Sequence, residues 1–264
     1  MTDSQSWPMD IPSLPLLSEK GAYSQGLSYS PSDIRQIQTY ALYRGIETII
    51  EFDMPGHTTS IGLAYPELIA ANNAQPWNNY CAEPPCGSLQ LNNPAVSTFL
   101  EKLFSDVLPR VQPYSSYFHT GGDEVNKNTY LLDPTVKSNS KEVLQPLIQK
   151  FVDRNHEQLR KAGLTPIVWE EMLLEWDLKL GEDVIVQSWL SDDSVAAITK
   201  KGYQALAGNY NFWVCIHIYP CSIPGGTVKT DRNSILTAAL ANGSTSTTAT
   251  PSIHTIHSMT TVPL

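Results

Sequence analysis

The sequence predicts an α/β fold, a (β/α)8 barrel, and three observations carry that reading. Short apolar runs alternate with amphipathic stretches along most of the chain. Units of that order pair their strands in parallel through right-handed crossovers. Runs such as ETIIEF (47–52) and DVIVQSW (183–189) are apolar without strict alternation, as strands covered on both faces are. The polar motifs fall at the C-terminal ends of the predicted strands, where barrel active sites lie, and no Gly-x-Gly-x-x-Gly turn marks an open dinucleotide-binding sheet.

Each element has a local reason. Ser30 caps a helix over 31–44, with Pro31 at its first helical position and Asp33 in its first turn. Gly45 ends that helix, and a strand over 47–52 follows. A long loop over 55–93 carries Cys81 and Cys86 and leads into a helix over 94–108. A strand over 116–119 comes next, then a helix over 141–161 closed by Gly163. Strands over 166–169 and 184–189, a helix over 193–201 and a strand over 203–207 complete the readable part.

Bulk properties narrow the function classes. A chain of 264 residues suits one large barrel or two small domains. Hydrophobic content of 41% with 16% charged residues describes a lightly charged globular protein. The net charge of −9 argues against nucleic acid or an anionic membrane as partner. No apolar run approaches the roughly 20 residues of a membrane span, and the start shows no basic stretch followed by an apolar one. Cys81 and Cys86 bracket a Pro-rich loop that a disulfide closes if the Cα atoms approach to about 6 Å. Two free thiols fit the residues as well, and the spacing is not that of a zinc site.

The chemistry concentrates in His119-Thr-Gly-Gly-Asp123-Glu124, which follows the apolar pair Tyr117 and Phe118. Neighbouring side chains of a regular strand point to opposite faces. Two glycines relax the pleat, so Asp123 and Glu124 can lean into one pocket. Two carboxyls in one low-dielectric pocket do not ionise independently, and one becomes an acid near neutrality. Such a pair suits glycosidic-bond chemistry. Most bare Asp-Glu pairs are solvated loop charges, so the surrounding motifs decide the matter. His57, His119, Asp123 and Glu124 have residue types that a metal would accept, but no His-x-His or His-x-x-x-His spacing supports such a site, and the expectation is no metal and no cofactor.

The run HTGGDEVN, with DSQSWP and EFDMPGH upstream and IVWEEM downstream, resembles the β-N-acetylhexosaminidases of glycoside hydrolase family 20, the fungal enzymes in particular, from the first residues to about Trp213. The resemblance implies that the acetamido carbonyl of the substrate attacks the anomeric carbon, with Glu124 as general acid and later base and Asp123 orienting the acetamido group. It implies that Asp3 pairs with His57, which sets the proton affinity of Glu124. Trp169 and Trp189 would wall the acetamido pocket. Trp7 and Glu170 are weaker candidates, Glu171 begins the next helix or loop, and His119 reads as a packed strand residue. The implied partners are oligosaccharides ending in N-acetylhexosamine, and the parent enzyme would be extracellular and a homodimer.

The same resemblance sets an expectation of a partial TIM barrel over 1–213, lacking the first strand, most of the second and the last. Where family members continue with Tyr-Leu-Asp after Phe212 and Trp213, this sequence has Val214, Cys215 and Ile216. From Asn233 to Leu264 there is no Asp, Glu, Lys or Arg. Residues 214–264 therefore read as a divergent, Ser/Thr-rich, disordered tail. The expectation is that this chain turns substrate over poorly or not at all, with a non-catalytic sugar-binding remnant as the alternative.

Overall fold

In the computed structural model, residues 2–209 and the backbone of 240–241 are described. The expectations for residues 210–239 and 242–264 lie outside them. Helix α1 (Leu16–Gly21) precedes α2 (Pro31–Leu42), strand β1 (Ile50–Glu51) and α3 (Thr59–Gly62). A small hairpin of β2 (Ile69–Ala70) and β3 (Ser88–Leu89) leads to α4 (Pro94–Val111), β4 (Tyr117–His119), α5 (Lys141–Lys161) and β5 (Thr165–Trp169). Then come α6 (Glu171–Leu174), β6 (Ile185–Ser188), α7 (Asp193–Lys200), β7 (Gln204–Ala207) and β8 (Leu240–Ala241).

Capping places the helices where the sequence asks for them. Ser30 Oγ accepts from the Asp33 N–H while the Asp33 carboxylate accepts from the Ser30 N–H, a reciprocal box around Pro31. Gly45 and Gly163 take φ values of 70° and 79° at the two helix exits, a conformation that costs a side chain about 1–2 kcal/mol. Asn93 caps α4 by accepting from the Ala95 N–H. The apolar face of α4 then runs Val96, Phe99, Leu100, Leu103, Phe104, Val107 and Val111, the three-and-four spacing of a helix pressed on a sheet.

The sheet order is β1-β4-β5-β6-β7-β8, parallel up to β7 and antiparallel at β8. From β1 to β7, order in space follows order in the chain, with helices in the connections between neighbours, which is the arrangement of a barrel wall. Thr2 bridges Phe52 in parallel, and its N–H donates to the Glu51 carbonyl at 3.2 Å. The first residues thus lie along β1 as a strand end, as the barrel reading expects. Two expectations need correction. The strand over 47–52 shrinks to two residues, and the loop over 55–93 holds α3 and the hairpin, whose strands are too short for any period to show. Cys81 and Cys86 form a disulfide, with Cα atoms 5.3 Å apart.

Phe118 is fully buried where sheet meets helix, edge-on to Phe52 at 5.3 Å and to Phe104 of α4 at 5.9 Å. Phe118→Ala should lower the unfolding free energy by about 3–5 kcal/mol, read from the shift of a urea denaturation midpoint at unchanged slope.

Candidate active site

Parallel pairing sets the C-terminal ends of the strands side by side. Glu51 stands opposite His119, and His119 opposite Ile167, so the segments that follow β1, β4, β5 and β6 all open at one rim. The rim exists because Gly121 and Gly122 adopt φ values of 71° and 108°. A Cβ on Gly121 would collide with Asp53, and one on Gly122 would stand 2.6 Å from Met172 Cγ. Their N–H groups hold the turn, Gly121 donating to His119 Nδ1 and Gly122 to Asp53 Oδ1, each at 2.9 Å. Glu124 and His57 are left-handed as well, at φ 50° and 51°, a strained choice of the kind found at working sites.

That backbone brings both acids to one imidazole. His57 Nε2 lies 3.4 Å from Glu124 Oε2 and 3.8 Å from Asp123 Oδ1, and Nδ1 lies 3.0 Å from Asp3 Oδ1. Asp123 and Glu124 therefore face the same space, as the Gly-Gly break requires. Burial opposes a charge on His57, but the hydrogen bond to Asp3 and the charges of Asp123, Asp3 and Glu124 outweigh it and push the imidazole up to about 9. Burial likewise works against ionised Asp3. The His57 hydrogen bond, the Ser4 N–H and the imidazolium charge prevail and hold that carboxyl below its usual value. Glu124 goes the other way: burial and the Asp123 charge raise it, against the pull of His57.

Asp53 completes the group. It is buried, and burial together with the facing Asp123 carboxyl pushes it well above the usual carboxylate range. Asp53 Oδ2 and Asp123 Oδ1 have no other hydrogen-bond partner among the described residues, and one proton between them satisfies both. Asp53, His57 and Asp123 offer ligand-type atoms within 4.8 Å of one another. A proton shared between Asp53 and Asp123 and a charge on His57 satisfy these atoms as they stand. His119 turns elsewhere. Its ring packs against Trp169, tilted by 56° with centroids 4.9 Å apart, and burial pushes it down to about 3, so it stays neutral.

Trp169 and Trp189 stand at the same rim, partly exposed and edge to face at 6.5 Å and 71°. Trp7 does not join them. It is buried against Phe52 at 5.0 Å and donates from Nε1 to the Met9 carbonyl, which makes it part of the core. Glu170 is buried behind Trp189, accepting from its N–H at 3.1 Å and from Ser194 Oγ at 3.0 Å.

The sequence matches Glycosyl hydrolase family 20, catalytic domain, over residues 1–223. The chain belongs to that family. It is 46% identical over 219 residues to a beta-hexosaminidase of Arthroderma benhamiae, an overlap of 80% of this chain and 36% of that protein. To Beta-hexosaminidase subunit A1 of Dictyostelium discoideum it is 32% identical over 209 residues, covering 78% and 38%. Among solved structures it resembles the chitobiase of Flavobacterium johnsoniae, with TM-score 0.66, 30% identity, and coverage of 79% of this chain and 32% of that one. The family 20 chain thus spans little more than a third of the length of the curated relatives it matches.

Of the residues that the sequence motifs single out, the structure gathers Asp3, Asp123 and Glu124 around His57 and pairs Trp169 with Trp189 at the ends of β5 and β6. Three participants were missed: Glu51, Asp53 and the side chain of Glu171. Glu51 and Asp53 alternate in EFDMPGH, and that two-residue period, with both acids at a strand end, was a usable signal. Glu171 does begin α6, which hides the second task of its carboxylate.

The Asp3–His57 pair has a defined pH window. His57, raised when folded, contributes stability in full below its ordinary value near 6.5, and that stability is lost as pH rises through about 9. Asp3, lowered when folded, contributes above its ordinary value, and its share is lost in acid. The stability gap between wild type and Asp3→Asn should therefore be widest near neutrality and narrow above about pH 9, followed by chemical denaturation. Imidazole resonances of His57 in Asp3→Asn should titrate at lower pH than in wild type.

Proposed function

We propose that the rim hydrolyses terminal non-reducing N-acetyl-β-D-hexosamine residues, with the substrate's own acetamido group as nucleophile. The observation that carries this reading is the convergence of Asp123 and Glu124 on His57 Nε2, with Asp3 behind the imidazole. A glycosidase of the ordinary retaining kind sets two carboxyls on opposite sides of the bond being cut. Here the acids are adjacent in sequence and share a cation, so only one is placed as a proton donor, and the second is free to serve another partner.

Glu124 fits the donor. Its proton affinity is raised, and it keeps some exposure towards the open rim. It protonates the leaving oxygen and then, as base, takes a proton from the incoming water. Asp123 orients the acetamido N–H and stabilises the positive charge that builds on the forming oxazolinium ring, a fixed charge placed in advance. Asp53, held neutral, donates to Asp123 and keeps its orientation. His57, anchored by Asp3, supplies the positive charge that lets Glu124 release its proton. Trp169 and Trp189 offer apolar faces to the sugar and its acetyl methyl.

Secretion of the parent protein is part of the proposal, and the Cys81–Cys86 disulfide supports it, since such bonds persist in oxidising compartments. The substrate class agrees with the name of a 30% identical relative from Ostrinia furnacalis, a chitooligosaccharidolytic beta-N-acetylglucosaminidase. A homodimeric parent belongs to the same proposal.

The test uses a chromogenic N-acetyl-β-glucosaminide and a thiazoline that mimics the cyclised intermediate. Glu124→Gln should remove whatever turnover the wild-type chain shows, by a factor of about 100 or more, while thiazoline binding persists. Asp123→Asn should weaken thiazoline binding at least about tenfold, because the charge facing the ring nitrogen is gone. Turnover that survives Glu124→Gln sinks the reading. Thiazoline binding with no wild-type turnover identifies a sugar-binding remnant instead.

A further inference from the structure

The two tryptophans at the rim are held in an unusual way. Trp169 Nε1 donates to Glu51 Oε1 at 3.1 Å, and Trp189 Nε1 donates to both oxygens of Glu171, at 3.0 and 3.1 Å. An indole N–H needs one acceptor when buried, and a backbone carbonyl is enough, as Met9 shows for Trp7. A carboxylate is a costly acceptor in the same setting, because burial penalises its charge. Here it is used twice, from two different elements, on the two tryptophans that face the cleft. Neither acid has a Lys or Arg partner among the described residues, and Glu51 has only the neutral His119 ring at 3.6 Å.

The anchoring extends to the backbone. Trp189 is gripped at both ends, its N–H by Glu170 and its ring by Glu171. Trp169 is gripped by Glu51 on one edge and backed by the His119 ring at 4.9 Å, while His119 is itself held by the Gly121 N–H. An ionised acceptor makes a bond about twice as strong as a neutral one, so the indole planes are fixed before any sugar arrives. A wall fixed in advance loses little freedom on binding.

Resting on the family 20 reading above, we infer that Glu51 and Glu171 are positioning residues of the sugar pocket, each setting the tilt of one tryptophan wall through its indole N–H and thereby the affinity for N-acetylhexosamine. They work through the rings and take no part in proton transfer. Each has a titration that reports on the contact. Burial, against the Trp169 bond and with the charges of Asp123 and Asp3, pushes Glu51 up to about 7. Burial, against the Trp189 bond and with the charges of Asp123 and Glu170, pushes Glu171 up to about 7.

The experiment combines indole NMR with calorimetric titration of the thiazoline. In the wild-type chain the indole N–H resonances of Trp169 and Trp189 should move with pH, with a midpoint near 7. Glu171→Gln should abolish the movement for Trp189 and leave it for Trp169, and Glu51→Gln should do the reverse. Glu171→Ala should raise the thiazoline Kd about tenfold, and Glu171→Gln, which keeps an acceptor, should recover most of that loss. A purely structural role would lower the folded fraction without moving Kd or restoring it with Gln. Indole resonances indifferent to pH and to both Gln substitutions would overturn the inference, as would an unchanged Kd in Glu171→Ala. If the wild-type chain binds no thiazoline, the assigned function falls, and the inferred pocket role falls with it. The indole titration then still decides, separately, whether the carboxylates hold the rings.

Discussion

Six carboxyl groups, those of Asp3, Glu51, Asp53, Asp123, Glu124 and Glu171, crowd one rim, and among the described residues the His57 imidazole is the cation they share. Charges so close in a poorly solvated space cannot all persist, since each desolvated carboxylate raises the cost of the next. The structure resolves the conflict by dividing roles. Asp3 stays ionised because it touches His57 directly. Asp53 takes a proton because it is the deepest and faces another acid. Glu51 and Glu171 sit at the balance point and spend their lone pairs on indole donors. Glu124, partly exposed and next to the cation, is left able to gain and lose a proton.

This division depends on backbone shape as much as on charge. Without left-handed glycines at 121 and 122 the strand would carry Asp123 and Glu124 to opposite faces, and Asp53 would have no room beneath Gly121. Left-handed His57 and Glu124 add strain that the local contacts must hold in place. Those contacts are the ones that carry the chemistry: the imidazole is fixed by Asp3, and Glu124 meets it at 3.4 Å. Strain and ion pairing thus stabilise the same arrangement.

What the sequence revealed, and what it hid, follows from the range of each signal. The helix over 141–161 was legible to the residue, because its apolar period lies within the segment itself, whereas those over 31–44 and 94–108 were right at the start and off at the end. The strands were legible in position but not in length, most of them read too long, since pairing ends where the partner ends and a lone chain does not carry that information. The two-residue hairpin strands at 69–70 and 88–89 meet across the loop, so no local pattern announces them. Among site residues, those in dense motifs were found. Glu51, Asp53 and Glu171 were missed because their meaning lies in a partner on another strand: Trp169 for one, Asp123 for the next, Trp189 for the last. Trp7 erred in the opposite direction, since a motif residue that only packs looks the same in one dimension as one that binds.

The proton-handling groups come from the first residues, the end of β1 and the turn after β4, whereas the tryptophan walls come from the ends of β5 and β6. In the proposed function, proton handling and sugar gripping are therefore built on different strands, and Glu51 joins them, ending β1 while holding an indole of β5. A change on the wall side reaches the acid through Glu51 and Glu171, because the charge of Asp123 bears on Glu51, Asp53, Glu124 and Glu171 alike. Asp123 is thus the electrostatic hub of the rim. In the proposed reaction, a cation forming beside it would relieve all four neighbours at once, which would give the transition state a stabilisation that the resting site lacks.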